Sequence, residues 1–325
     1  MRVSTLLIRS LAITIASASP QWSDPASIQH LAAGWAEKNP DLHNYPNSFT
    51  RGIYIKEIHS HNDYVHNAPF YEALSVGAIS VEADVWAKDG ELLVGHDEIS
   101  LTKTRTLRSL YLDPILDSLR KMNPDTEFSQ NTKCGLFGMW CPQPFYLAVD
   151  FKNNATEILP LLLRDLAPLR EAGYLSEFNG QENIQRPITV HVGGTAVYEN
   201  VIADQPLPRY HWVVAPIEKI DTPEEQKHAD GTPVYDNTTS LFAQGHYGSM
   251  LGVPFEHVWG ETTDAQKERL KQLVATARSR GLGSNFWGAP NWPIGARNSA
   301  WKAQIEAGVA LLYVDDLQDA AQTVW

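Results

Sequence analysis

A stretch of six residues, His59-Ser60-His61-Asn62-Asp63-Tyr64, holds two imidazoles, an amide, a carboxyl and a phenol. Further along, Glu82 and Asp84 stand two apart in AISVEADVW, His96-Asp97 follows Leu92-Leu93-Val94, and Asp150 and Lys152 again stand two apart. Asn62, Glu82, Asp84 and Asp150 make an oxygen-rich ligand set of the kind hard cations take, Mg²⁺ ahead of Ca²⁺. His61 and His96 are the residue type that accepts and releases protons near neutral pH. A divalent cation and the Lys152 ammonium can neutralise charge that builds on a phosphoryl group. Together these parts suit cleavage of a phosphodiester.

The elements around these residues must bring them together. Side chains alternate along a strand, so Glu82 and Asp84 share one face, as do Asp150 and Lys152. Ile79, Val81, Ala83 and Val85 mark the first of these strands as buried, where an unpaired acid is costly. Strands are predicted over residues 53–58, 78–86, 91–95, 145–151, 188–192, 210–215, 282–286 and 311–314. Helices are predicted over 69–76, 107–121, 155–172, 264–280 and 296–307. Alternating β and α argues for a parallel sheet wrapped by helices, and the strand number and chain length favour a single-domain α/β fold, a closed (β/α)8 TIM-type barrel over residues 51–325. In such a barrel the C-terminal strand ends face one mouth, which would gather every residue named above. His191 and Trp287 also fall at strand ends and are candidates for substrate contact. His59, Asp63 and Asp97 are candidates for supporting the histidines. Asp315 closes the last strand, where capping the segment after it is the plain reading. Residues 216–262 show no clear elements, and 123–143, rich in Pro, Asn, Gly and Cys, read as an inserted loop.

The segments HSHNDY, ISVEADVW and LLVGHDE resemble the phospholipase C-like phosphodiesterase superfamily, and most closely the fungal family called altered inheritance of mitochondria protein 6, with bacterial relatives that carry HAHNDY. The resemblance covers residues 55–325 and is specific over 58–98. It implies a (β/α)8 barrel with His61 and His96 as catalytic acid and base, and Asn62, Glu82 and Asp84 as metal ligands. Phosphatidylinositol phospholipases C share a His-Asn-x-Tyr motif, an E-x-D strand and a later His. Sphingomyelinase D adds a D-x-K strand similar to Asp150-Phe151-Lys152, implying a third metal carboxylate and a phosphate-binding lysine. The 21-residue step from His61 to Glu82 is close to its spacing too. Glycerophosphodiester phosphodiesterases share the E-x-D and HD elements, but their His-Arg-Gly motif is absent here, which weighs against their substrates.

Composition bounds the rest. The 325 residues carry 26 Lys and Arg against 38 Asp and Glu, a formal charge of −12. With no basic cluster, nucleic acid is not an expected partner. Residues 1–19 have a basic start, an apolar run broken by Arg9, and Ala16-Ser17-Ala18, which fits a secretory signal peptide; a mitochondrial transit segment is the rival. Residues 20–50 read as an N-terminal arm. No transmembrane helix is expected. Cys134 and Cys141 in KCGLFGMWCP predict one loop disulfide, and Asn154-Ala-Thr156 and Asn237-Thr-Thr239 fit glycosylation acceptors. The expected activity is a metal-dependent phosphoric diester hydrolase acting on a lipid or glycerol-type substrate. The alternatives are a catalytically weak phosphoinositide- or glycan-binding barrel and a lyase that forms a cyclic phosphate. Nothing in the sequence fixes the oligomeric state.

Overall fold

The computed structural model describes residues 25–38, 49–129, 133–252 and 260–323. The chain divides into two compact units, residues 1–45 and 46–325. In the first, the described part is helix α1 (Pro25–Lys38). The predicted leader, residues 1–19, and residues 20–24 and 39–48 of the arm lie outside the described residues.

The second unit holds the remaining elements. From β1 (Lys56–Ser60) the chain passes through a short turn to α2 (Tyr71–Val76), β2 (Ala78–Lys88) and β3 (Glu91–Val94). There follow α3 (Asp113–Met122), β4 (Phe145–Phe151), α4 (Ala155–Asp165) and α5 (Ala167–Glu171). A small hairpin of β5 (Glu177–Phe178) and β6 (Asn183–Ile184) precedes β7 (Ile188–Gly194), α6 (Tyr198–Val201), β8 (His211–Val213) and β9 (Ala215–Pro216). The chain closes with β10 (Phe242–His246), α7 (Tyr247–Met250), α8 (Asp264–Ser279), β11 (Gly283–Trp287), α9 (Ile294–Ala307), β12 (Leu312–Val314) and α10 (Leu317–Gln322).

The fold is mixed α/β around a parallel sheet. The main sheet runs β12-β1-β2-β4-β7-β8, all parallel, with β3 folded back antiparallel on β2 across the Asp89-Gly90 turn. A second parallel sheet runs β11-β10-β9. Hydrogen bonding among the described strands therefore resolves into two parallel sheets, not one closed ladder. The sheets share the segment 211–216, whose first half pairs with β7 and second half with β10. At the other end, Ala310 N, just before β12, donates to Ser284 O of β11 at 2.8 Å.

The central strands are buried along most of their length, as a sheet covered on both faces requires: Val81, Ala83, Val149, Val190 and Val192 are all inaccessible to solvent. Helices cover the sheet with one apolar face each. In α3 that face is Ile115, Leu116, Leu119 and Met122. The helix predicted over 155–172 is broken at Leu166, because Pro168 has no N–H to continue the ladder and its ring crowds the preceding turn. Strand β10 lies in the stretch that showed no clear elements. Its sequence FAQGH carries no apolar alternation, and its state comes from pairing on both sides. The described part of the predicted insertion is an irregular loop, closed by a disulfide between Cys134 and Cys141 with Cα atoms 4.6 Å apart. Leu136 and Phe137 bury it against the core.

Candidate active site

Register places the reactive side chains. Parallel pairing sets Asp84 of β2 directly beside Asp150 of β4, and Asp150 beside Gly193 of β7. Glu82 points to the same side two residues earlier, and Lys152 follows β4, its N–H bonded to Val85 O at 3.0 Å. At the far side of β1, Ser60 pairs with Val314, and His61 N extends that ladder to Val314 O at 3.0 Å. The next residues of the two strands, His61 and Asp315, are thus brought side by side. Asn62 then turns the chain in the left-handed conformation, φ 50°, which Asn tolerates better than most residues. Its N–H donates to Glu82 Oε2 at 2.9 Å.

Asp315 is not a helix cap. Its Oδ1 lies 2.8 Å from His61 Nδ1, and its Oδ2 accepts from Asn291 Nδ2 at 2.6 Å. The cap of α10 is the next residue, Asp316, which accepts from Asp319 N. A carboxylate only accepts, so His61 carries its proton on Nδ1 and turns Nε2 toward Glu82, 3.7 Å from Oε2. Burial alone would lower the His61 pKa. The bond to Asp315, with the charges of Glu82, Asp315 and Asp84, reverses this and raises it. Asp315 is lowered in turn: burial opposes its charge, but the His61 bond outweighs that.

Carboxylates outnumber cations in this cluster. Lys152 Nζ lies 2.9 Å from Asp84 Oδ2 and 2.7 Å from Asp150 Oδ2. Burial would lower its pKa, but the two charges raise it. Tyr64 Oη lies 2.6 Å from Asp84 Oδ2 and 2.5 Å from Asn62 Oδ1. Asp84 Oδ1 is buried with no protein partner. Burial pushes the pKa of Glu82 up to about 7; His61 pulls it down in part, while Asp84 and Asp150 push it further up. Burial likewise raises Asp84, against the pull of Lys152. Among the described residues no three His, Cys, Asp or Glu side chains already stand in metal-coordinating array. The donor chemistry nevertheless fits a hard divalent cation: buried oxygens, a surplus of negative charge and an unpartnered Asp84 oxygen. Room is kept beside Asp150 by two glycines. A Cβ on Gly193 would stand 2.9 Å from Asp150 Oδ1, and on Gly194, at φ +66°, 2.3 Å from Phe151 O.

These groups line one cavity of about 660 Å³ at the C-terminal strand ends, with Gln244 of β10 and Trp287 of β11 on its other side. His96 reaches it from the loop after β3, which the Trp86 Nε1–Gly95 O bond of 2.8 Å holds against β2. His96 itself is exposed. Trp287 stands edge-on to His246, ring centroids 4.5 Å apart, as part of the wall that runs on to Trp292.

Other candidates lie elsewhere. His191 is buried edge-on to Phe242 and does not line the cavity; with no charge or hydrogen bond to hold a proton, burial lowers its pKa to about 4. His59 sits below the mouth, stacked on Tyr313 at 3.7 Å and bonded through Nδ1 to Ser80 Oγ at 2.7 Å. Asp63 is fully buried and accepts from Ser60 Oγ and Phe70 N, each at 2.6 Å, so it shapes the turn rather than touching a histidine. Asp97 caps the short turn Glu98–Ser100 instead of orienting His96. Asn154 caps α4, and both it and Asn237 are exposed. Asp315, Asn291 and Gln244 are the site residues that sequence reasoning missed. For Asp315 the available signal was its place at the end of the last strand.

Clustered oxygen donors beside a carboxylate-bound imidazole and an ammonium are, as a class, the equipment of phosphoryl chemistry, and known proteins give that class a family. Residues 47–212 match the AIM6-like phosphodiesterase domain, and the chain belongs to that family. It is 33% identical over 323 residues to the altered inheritance of mitochondria protein 6 homolog of Arthroderma benhamiae, covering 97% of this chain and 98% of that protein. It is 30% identical to altered inheritance of mitochondria protein 6 of Zygosaccharomyces rouxii, over 89% of this chain and 74% of that protein. To the protein of that name from Eremothecium gossypii it is 29% identical, over 81% of this chain and 68% of that protein. No solved structure gives a significant match. Among the described residues no helix is long and apolar enough to cross a membrane.

Proposed function

We propose that the protein is a metal-dependent phosphoric diester hydrolase. What carries the reading is the meeting in one cavity of His61, His96, Asn62, Glu82, Asp84, Asp150 and Lys152. We read the two sheets as sectors of one (β/α)8 barrel, a reading supported by the shared segment 211–216 and the bond from Ala310 to Ser284. Asn62, Glu82, Asp84 and Asp150 would hold the cation, Mg²⁺ ahead of Ca²⁺. Bound there, it supplies charge neutralisation at a non-bridging phosphate oxygen.

The chain's own residues do the rest. His61 takes the proton of the attacking hydroxyl or water at Nε2, because Asp315 stabilises the imidazolium that forms. His96, reaching in from its exposed loop, gives a proton to the leaving oxygen. Lys152 holds a further phosphate oxygen. The substrate is a lipid or glycerol-type diester. In support, two tryptophans of the cavity wall are exposed, Trp292 at 67% and Trp287 at 39%. As to location, the relatives' name favours the mitochondrial reading of residues 1–19, and the disulfide favours an oxidising space.

The two-histidine scheme is tested with His61→Ala and His96→Ala on bis(p-nitrophenyl) phosphate. Each substitution lowers turnover by roughly 10²–10⁴-fold with the fold intact. Near-wild-type turnover in both refutes the scheme.

A further inference from the structure

The Tyr64 hydroxyl touches two of the residues read as cation ligands and belongs to neither. We propose that Tyr64 is a positioning residue for the cation site, holding the Asn62 and Asp84 oxygens in binding orientation. The inference rests on the reading of Asn62 and Asp84 as cation ligands. Its geometry is on both sides of the hydroxyl: 2.5 Å to Asn62 Oδ1 and 2.6 Å to Asp84 Oδ2. One hydroxyl has one proton, and the two acceptors on either side of it share that proton as a three-centre bond. Lys152 Nζ takes the same Asp84 oxygen at 2.9 Å. With Oδ2 held twice, the carboxylate cannot rotate, and Oδ1 is the oxygen left without a protein partner. Asn62 Oδ1 and Asp84 Oδ2 are thus drawn to one donor, and each keeps lone pairs for a cation.

The hydroxyl can do this because the phenol is immobile. Its ring is buried. The turn Asp63–Val65 that carries it is anchored through Asp63 to Ser60 and Phe70, and Arg105 Nη2 donates to Tyr64 O. Partners of this kind, one bond removed from a metal, typically set its affinity by 10–100-fold.

The test is Tyr64→Phe, which removes one oxygen and keeps the ring. Mn²⁺ binding is followed by electron paramagnetic resonance of the free ion, beside thermal unfolding in EDTA and in Mn²⁺. The expected result is an affinity about 10–100-fold weaker than wild type, with the thermal gain from Mn²⁺ reduced and the EDTA midpoint close to wild type. A cycle with Asn62→Ala must then be non-additive, since Asn62→Ala removes one of the two oxygens that the Tyr64 hydroxyl holds. Wild-type Mn²⁺ affinity in Tyr64→Phe, or strict additivity in the cycle, overturns the inference alone. A wild-type protein that binds no Mn²⁺ overturns the cation reading and the inference with it. If the variant loses stability equally with and without Mn²⁺, the hydroxyl serves packing and the inference fails.

Discussion

His61 Nδ1 and Asp315 Oδ1 lie 2.8 Å apart although 254 positions separate them in the chain. The first and last strands of the sheet pair in parallel, Ser60 on Val314, and so carry the next residue of each to the same edge. Asn291 fixes the other carboxylate oxygen. The imidazole is therefore held in one tautomer with Nε2 facing the cavity. Asp315→Asn keeps the shape but replaces an obligate acceptor with a group that can also donate. Turnover is expected to fall by roughly 10²–10⁴-fold, with KM little changed and the circular dichroism spectrum retained. Activity within twofold of wild type would remove Asp315 from the scheme.

Much of this site is legible in the sequence, for a physical reason. Glu82, Asp84 and Asp150 lie on strands whose period of two fixes which side chains share a face, and Lys152 directly follows one of them. The charged residues stand among buried apolar ones, where only a site or a pair explains them. Asp315 is hidden because its partner His61 is set by pairing of the sequence-distant strands β1 and β12, and Asn291 because it lies in a loop, where no local pattern encodes a partner. His191 misleads for the opposite reason. Its strand runs two residues past the predicted end, to Gly194, so the strand end that faces the cavity is glycine and His191 lies below it. The parallel sheet is read from alternating elements, yet β10 escapes because its strand state rests on neighbours.

Trp292 tests whether the substrate is a lipid or a soluble diester. Trp292→Ala removes the most exposed of the wall tryptophans, and the residue lies outside the charged cluster. On phospholipid vesicles its activity should fall by about tenfold, the worth of one large apolar side chain at an interface. On bis(p-nitrophenyl) phosphate it should match wild type. Equal losses on both would assign Trp292 to the cavity wall, and no loss on either would remove it from substrate choice.

Two buried histidines tie stability to pH. Burial lowers His191 to about 4, and it lowers His211 to about 4 against a partial rise from its bond to Val201 O. Unfolded, both titrate near 6.5. Between those values the unfolded chain binds protons that the folded chain refuses. Their contribution is thus full above about pH 6.5, is lost as pH drops toward 4 and levels off below, by about 3 kcal/mol for each histidine. Glu82, raised by burial to about 7, acts in the opposite sense over the same window, so the readout is the difference between two proteins. From pH 7 to pH 4.5 the urea midpoint of the wild type should lose more than that of His191→Gln. Parallel profiles for the two would contradict this.

Under the proposed function, Asn62, Glu82, Asp84 and Asp150 would hold a cation that phosphodiester cleavage requires. The most direct measurement is hydrolysis of bis(p-nitrophenyl) phosphate by the purified protein, with EDTA, with Mg²⁺ or Ca²⁺ added back, and with the Glu82→Ala/Asp84→Ala double variant. Activity that EDTA abolishes, that Mg²⁺ restores and that the double variant lacks is the predicted result. Hydrolysis that persists unchanged in EDTA and in the double variant would contradict it.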